Sequence, residues 1–315
     1  MRLPRFLPLL AVLCSLQTAS AGVSPAPPAQ PGDAVCDLCA EWNKPVAPFR
    51  IYGNSYYVGV QGLASVLVVS SQGLVLLDGD LAQSAPLIEA NIRALGFRVE
   101  DLRLILNSHA HYDHAGGIAA LQRASGALVY ASPSGAQALR SGRYVADDPQ
   151  KAWEKSGFPA VKQVREVRDG QALSLGDVAI TARFTPGHTP GATSWTWRSC
   201  EGQRCLNVVY GDSLNAIAAP GFRYLGDATH PDVSARFSKS IDTMAALPCD
   251  ILITVHPDMS GMWQKLESRP KGRTPGQTPD PFVDSKACRS YADKVRPVLE
   301  ERLRKERAGL ENAPQ

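Results

Sequence analysis

Leu102-Arg103-Leu104-Ile105-Leu106 runs directly into Asn107-Ser108-His109-Ala110-His111-Tyr112-Asp113-His114, and this junction decides how the rest of the chain is read. The first five residues are a short apolar run of the kind that makes a buried strand. The second stretch carries three imidazoles and a carboxylate between His109 and His114. One helix or one strand cannot aim four such side chains at a single point, whereas a tight turn after a strand can. The carboxyl ends of strands are also where open α/β sheets gather their ligands. Imidazole and carboxylate together suit zinc, with iron or manganese as alternatives. A lone histidine is usually structural, but four ligand-type residues packed this closely are a specific signal.

The same arrangement recurs along the chain. The run 74–77 ends at Asp78, and 178–184 ends at Thr185-Pro186-Gly187-His188. The run 206–210 leads into Gly211-Asp212-Ser213, and 251–255 into His256-Pro257. The candidate metal ligands are therefore His109, His111, Asp113, His114, His188 and His256. Asp78 reads as a carboxylate that orients the site from behind rather than as a ligand. His230 precedes Pro231 with no strand before it and is left out. Six donors are too many for one tetrahedral zinc that keeps an open position. A pair of zinc ions sharing a bridging hydroxide is the better fit.

Outward from this cluster, strands and helices alternate in both halves, which predicts an α/β sandwich with helices outside. Residues 49–70 read as two or three antiparallel strands. Leu87, Ile88, Ile92 and Leu95 have helical spacing, with Gly96 as a stop. Further helices are expected at 116–124, 234–246 and 283–307, and a strand at 128–131. Residues 140–163 form either a long functional loop or a mere insertion, and 268–282 is loop. With no interdomain linker and no short-period repeat, 49–315 reads as one domain after an N-terminal segment, 22–48.

Arg2 and Arg5, the apolar stretch 6–16 and Ala19-Ser20-Ala21 give 1–21 the form of a secretory signal peptide. That stretch is too short to span a bilayer, and no other run is long and apolar enough to do so. Those two arginines supply most of the net charge of +3, so the remainder gives no electrostatic reason to expect nucleic acid. Of seven cysteines, Cys14 lies in the leader. Export implies an oxidising compartment, where disulfides persist. Cys200 and Cys205 flank a turn between two strands and are the firmest pair. Cys249 with Cys288 would tie a strand to the last helix. Cys36 and Cys39 form a local disulfide in the plainer reading, since a zinc knuckle would need two more ligands nearby.

With these residues identified, the chain resembles the metallo-β-lactamase superfamily, and within it the third subclass of class B β-lactamases (B3). The resemblance runs over nearly all of the chain beyond the leader. It rests on His109-x-His111-x-Asp113-His114, on Ile51-Tyr52-Gly53-Asn54 with Tyr57-Val58-Gly59, and on Asn91-Ile92-Arg93-Ala94-Leu95-Gly96-Phe97. Pro186-Gly187-His188-Thr189-Pro190-Gly191, Ser194-Trp195-Thr196-Trp197 and Asp212-Ser213-Leu214 extend it. It implies an αββα four-layer sandwich and two Zn2+ per chain, one on His109, His111 and His188, the other on Asp113, His114 and His256. Asp113 would also be catalytic, orienting the hydroxide. Ser213 stands where the first subclass has a zinc-binding cysteine and would bind the substrate carboxylate, directly or through water. Asn215 stands where relatives often carry a small hydroxyl residue, so that contact is altered. Residues 140–163 lie where the family has a flap over the site.

The implied activity is hydrolysis of the β-lactam amide of penicillins, cephalosporins and carbapenems by a periplasmic monomer, conferring antibiotic resistance. Asp212 keeps a second reading open: thioesterases and lactonases of the superfamily resemble the chain there and use such an aspartate to bridge the metals. A non-catalytic periplasmic zinc-binding protein is the alternative from another class.

Overall fold

The computed structural model describes residues 34–155, 157–272, 274 and 279–309. The leader expected at 1–21 lies outside them. Among the described residues, twelve strands form two sheets. The larger contains β1 (Phe49–Tyr52), β2 (Ser55–Tyr57), β3 (Val66–Ser70), β4 (Gly73–Leu77), β5 (Leu102–Leu106), β6 (Leu128–Ala131) and β7 (Val164–Glu166), lying side by side in chain order. The smaller runs β12 (Ile251–Thr254), β11 (Arg204–Gly211), β10 (Thr193–Glu201), β9 (Val178–Phe184), β8 (Ala172–Leu175). Early strands pair antiparallel through short turns, while β4, β5, β6 and β7 are parallel and need helical crossovers. The helices are α1 (Cys39–Trp42), α2 (Ala85–Ala94), α3 (Tyr112–Ala115), α4 (Ile118–Ser125), α5 (Pro133–Ser141), α6 (Ser234–Ala246), α7 (Met262–Ser268) and α8 (Ala287–Arg307).

Strand alternation builds the layers. In β4, Val75 and Leu77 face the other sheet, whereas Leu74 and Leu76 face the helices. The inter-sheet core joins Val66, Val68, Val75 and Leu77 to Ile180, Trp195, Val208 and Ile253. Outside the larger sheet lie Ile88 and Ile92 of α2, Ile118 and Leu121 of α4, and Leu139 of α5. Outside the smaller sheet lie Phe237, Ile241 and Met244 of α6, with Tyr291, Val295 and Leu299 of α8. These layers are the expected αββα sandwich. Three disulfides join Cys36 to Cys39, Cys200 to Cys205 and Cys249 to Cys288, the pairs expected from the sequence.

Several elements differ from the sequence-based expectation. Helix α5 lies between the expected strand and loop and has no counterpart among the predicted elements. It has local signals of its own: the Ser132 hydroxyl caps it by accepting from Gly135 N–H, Pro133 sits in its first turn, and Gly142 ends it in the left-handed region. Strands β7 and β8 are short and half-exposed, too brief for periodicity to register. Helix α7 has no counterpart among the predicted elements and ends where the expected loop 268–282 begins, and α8 begins at Ala287 rather than 283. No helix among the described residues is long and apolar enough to cross a membrane.

Candidate metal centre

The candidate ligands converge at the strand ends. Past β5, Asn107 and Ser108 turn the chain, and His111 sits at the N-terminus of α3, whose single turn carries Asp113 and His114. Asp78, just past β4 and wholly buried, holds that turn from behind. Its carboxylate accepts from Ser108 N–H (2.7 Å), Asn107 Nδ2 (3.0 Å) and the Tyr210 hydroxyl (2.9 Å). The Trp195 indole N–H, also fully buried, donates to Asn107 O at 3.1 Å. Past β9, the Gly187 α-carbon lies so close to Phe237 that a Cβ would stand 2.1 Å from the ring. Glycine is therefore what lets the His188 loop pack down.

One nitrogen of each of four imidazoles is held from outside the cluster. His109 Nδ1 lies 2.6 Å from Asp212 Oδ1, and His111 Nε2 lies 3.2 Å from both oxygens of Asp148. His188 Nδ1 is 3.1 Å from Asn215 O, and His256 Nδ1 is 3.2 Å from Gly62 O. The opposite nitrogens turn inward. Donor atoms of His109, His111 and His188 lie within 4.8 Å of one another, as do those of His109, Asp113 and His114. His256 Nε2 is 3.6 Å from Asp113 Oδ2, and the Trp42 ring packs on the outer side of this histidine, 5.4 Å between centroids.

This donor set fits a metal. His109 Nε2 and His114 Nδ1 are buried without a hydrogen bond, and His114 Nε2 has the Asp113 carboxylate 3.3 Å away; the orphaned nitrogens are a costly state that a cation would relieve. Imidazole fixed through its second nitrogen is the usual form of a zinc ligand. Burial, with the neighbouring His111, lowers His188 to about 3, and burial with His114 lowers His256 to about 4, so both rings are neutral and ready to ligate. Burial would raise Asp113, but the charge and hydrogen bond of His114, whose Nε2 lies 3.3 Å from Asp113 Oδ2, outweigh it and keep it a carboxylate.

The remaining expected residues also have clear positions. Ser213 is buried beside Asp212. Asn215 offers its carbonyl to His188, while its amide faces the Met259 sulfur at 3.9 Å. Three neighbours had no sequence signal as partners of the cluster: Asp148, the carbonyl of Gly62 and Gln150, whose Nε2 lies 3.3 Å from His188 Nε2. His230 lies apart, against Phe222.

The family model of the metallo-β-lactamase superfamily matches residues 58–201. The solved Rm3 metallo-β-lactamase is 52% identical, covers 87% of this chain and 100% of its own, and superposes with a TM-score of 0.82. The chain belongs to the metallo-β-lactamase superfamily. Within it, the similarity is to the B3 enzymes. MEM-A1, a subclass B3 metallo-β-lactamase from a soil metagenome library, is 48% identical over 85% of this chain and 99% of its own, with a TM-score of 0.80. Curated relatives match over shorter stretches. The acyl-coenzyme A thioesterase MBLAC2 of Gallus gallus is 31% identical across 35% of this superfamily member and 43% of its own length. The chain spans between about a quarter and a half of the first curated relatives it matches.

Proposed function

We propose that this chain is a zinc-dependent β-lactamase that opens the ring amide of penicillins, cephalosporins and carbapenems. The carrying observation is the set of clustered donors: His109, His111 and His188 in one group, His109, Asp113 and His114 in the other, with His256 beside Asp113. We assign a pair of zinc ions to these groups. Bound there, zinc supplies a Lewis acid for the lactam carbonyl and lowers the pKa of bound water toward neutrality. The protein's own residues do the positioning. Asp212, Asp148, Asn215 O and Gly62 O fix the four rings, so the donors need no reorganisation during reaction. The Asp113 carboxylate, kept ionised, accepts a hydrogen bond from the attacking water and passes its proton toward the departing ring nitrogen. Ser213 and the Asn215 segment border the place for the substrate carboxylate, and Asp78 steadies the turn that carries His109. Export to the periplasm, a monomeric state and a role in antibiotic resistance complete this reading.

Its test is hydrolysis of a penicillin, a cephalosporin and a carbapenem with and without chelator. Activity that disappears on chelation and returns with zinc is the expected result. Chelator-resistant turnover would refute the mechanism. One observation keeps the thioesterase or lactonase reading: Asp212 Oδ2 is buried without a hydrogen bond, as a metal-bridging carboxylate would be. An acyl-thioester and an acyl lactone in the same assay decide between them.

A further inference from the structure

The loop 140–163 is built around an interior of its own. The Glu154 side chain is 5% exposed; it accepts from Tyr144 N–H at 2.6 Å and pairs with Lys151 Nζ at 2.6 Å. Lys151 Nζ also donates to Tyr144 O at 2.9 Å, and Phe158 N–H donates to Gly142 O at 2.9 Å. Tyr144, Val145 and Phe158 are buried. From this small core, two side chains meet the same ligand, His111. The Tyr144 ring packs against the His111 ring with centroids 4.4 Å apart, and the Asp148 carboxylate sits at His111 Nε2. Asp148 Oδ1 also accepts from Gln150 N–H at 2.8 Å, so one buried carboxylate ties the loop backbone and the imidazole together. Farther along, Ala219 N–H donates to Pro149 O at 2.8 Å and extends the same stretch to the segment beyond β11.

We infer that Asp148 is a positioning residue that couples the 140–163 loop to metal binding through His111. The inference rests on the reading of His111 as a zinc ligand. With Nε2 held by Asp148, Nδ1 is the nitrogen left for the metal, and the ring's orientation is set by the loop. A ligand fixed through its outer nitrogen holds metal more tightly, and losing such a partner costs about 10–100-fold in affinity. The coupling is reciprocal: if the loop's carboxylate strengthens metal binding, metal binding must stabilise the loop by the same free energy. The loop is thus ordered by zinc as well as by its own core. The consequence extends to His188, because Gln150, whose Nε2 lies 3.3 Å from His188 Nε2, is carried by the backbone that Asp148 caps.

The test uses zinc affinity and hydrogen exchange, neither of which depends on turnover. Zinc is titrated against a competing chelator in the full chain and in Asp148→Asn, which keeps shape and removes charge. Backbone amide exchange of residues 140–160 is followed with and without zinc in both. The expected result is a zinc affinity lowered about 10–100-fold in the variant. Zinc should also slow exchange in this loop in the wild type and do so less in the variant. Equal zinc affinity in the two proteins overturns the inference while leaving the metal reading intact. A wild type whose loop exchange is indifferent to zinc does the same, and needs no variant to fold. A wild type that binds no zinc overturns both.

Discussion

Asp212 Oδ1 lies 2.6 Å from His109 Nδ1, and neither side chain has any solvent exposure. The carboxylate accepts from the Nδ1–H, which fixes the tautomer and leaves Nε2 as the inward donor. An aspartate serving instead as a bridge between metals would be needed for its charge and its oxygen. The two roles separate on substitution. Asp212→Ala is expected to weaken zinc binding about 10–100-fold. Asp212→Asn should recover most of that loss, because its amide oxygen can still accept from Nδ1–H. Competition titration with a chelator reads both. An Asn variant as weak as the Ala variant would favour the bridging role and, with it, the thioesterase or lactonase reading.

Gly187 sets the height of the His188 loop over α6. A methyl group there would meet the Phe237 ring at 2.1 Å, so Gly187→Ala must push the loop or the ring away. Overpacking of a well-filled core costs about 1–3 kcal/mol. The variant is expected to unfold at lower denaturant by that amount and to bind zinc less well. Adding Phe237→Leu should restore part of the zinc affinity, since it removes the opposing ring. A single variant with wild-type stability and affinity would show that the loop is not held down by this contact.

Most of the metal centre is legible in the sequence because its donors come just after short apolar runs. Leu102–Leu106, 178–184 and 251–255 each announce a strand, and the first histidine or turn residue past each is a candidate. The partners of those histidines are harder to see. Gly62 and Asn215 act on the rings through carbonyls, which every residue has and no sequence pattern marks. Asp148 lies in a segment without periodicity, and only folding shows that it faces His111. Helix α5 has readable caps at Ser132 and Gly142, but its buried face is Gly135, Ala136, Ala138 and Leu139, with a single large apolar side chain to mark the helical period. The turn disulfide Cys200–Cys205 is legible because the two residues stand directly opposite each other in the β10–β11 hairpin.

Asp80 predicts a pH dependence of stability. It is fully buried, accepts from the Ser65 hydroxyl at 2.9 Å, and burial lifts its pKa from 3.8 to about 7. A carboxyl raised in the folded state holds its proton more tightly there than in the unfolded chain. Its contribution is therefore complete below the unfolded value and is lost as pH rises through the window from about 4 to about 7. Asp80→Asn removes the titration, and asparagine tolerates the positive φ of 53° at this position. Zinc-free protein unfolded in urea at pH 5 and pH 8 should show a larger fall in stability for the wild type than for Asp80→Asn. Parallel falls in the two proteins would mean that Asp80 keeps an ordinary pKa.

Glu306, near the end of α8, fixes the segment that leads from the metal centre to α6. Its carboxylate is 1% exposed and accepts from Tyr224 N–H at 3.0 Å, Leu225 N–H at 2.9 Å and Arg302 Nε at 2.8 Å. Arg302 Nη2 in turn donates to Phe222 O at 2.7 Å. Removing one member of a buried pair strands the other, at a cost of about 3–5 kcal/mol. Glu306→Ala should lower stability by that order. The exposed pair of Arg296 and Asp242, in the same helix layer, provides the contrast: Arg296→Ala should cost at most about 1 kcal/mol. The segment that Glu306 clamps also carries Ser213 and Asn215, which border the proposed place for the substrate carboxylate. Loosening it should raise KM for a carbapenem more than it lowers kcat, because the donors that follow β5, β9 and β12 stay in place. Steady-state kinetics at saturating zinc measures the split. A fall in kcat with KM unchanged would place the effect of Glu306 on the metal centre instead of on substrate binding.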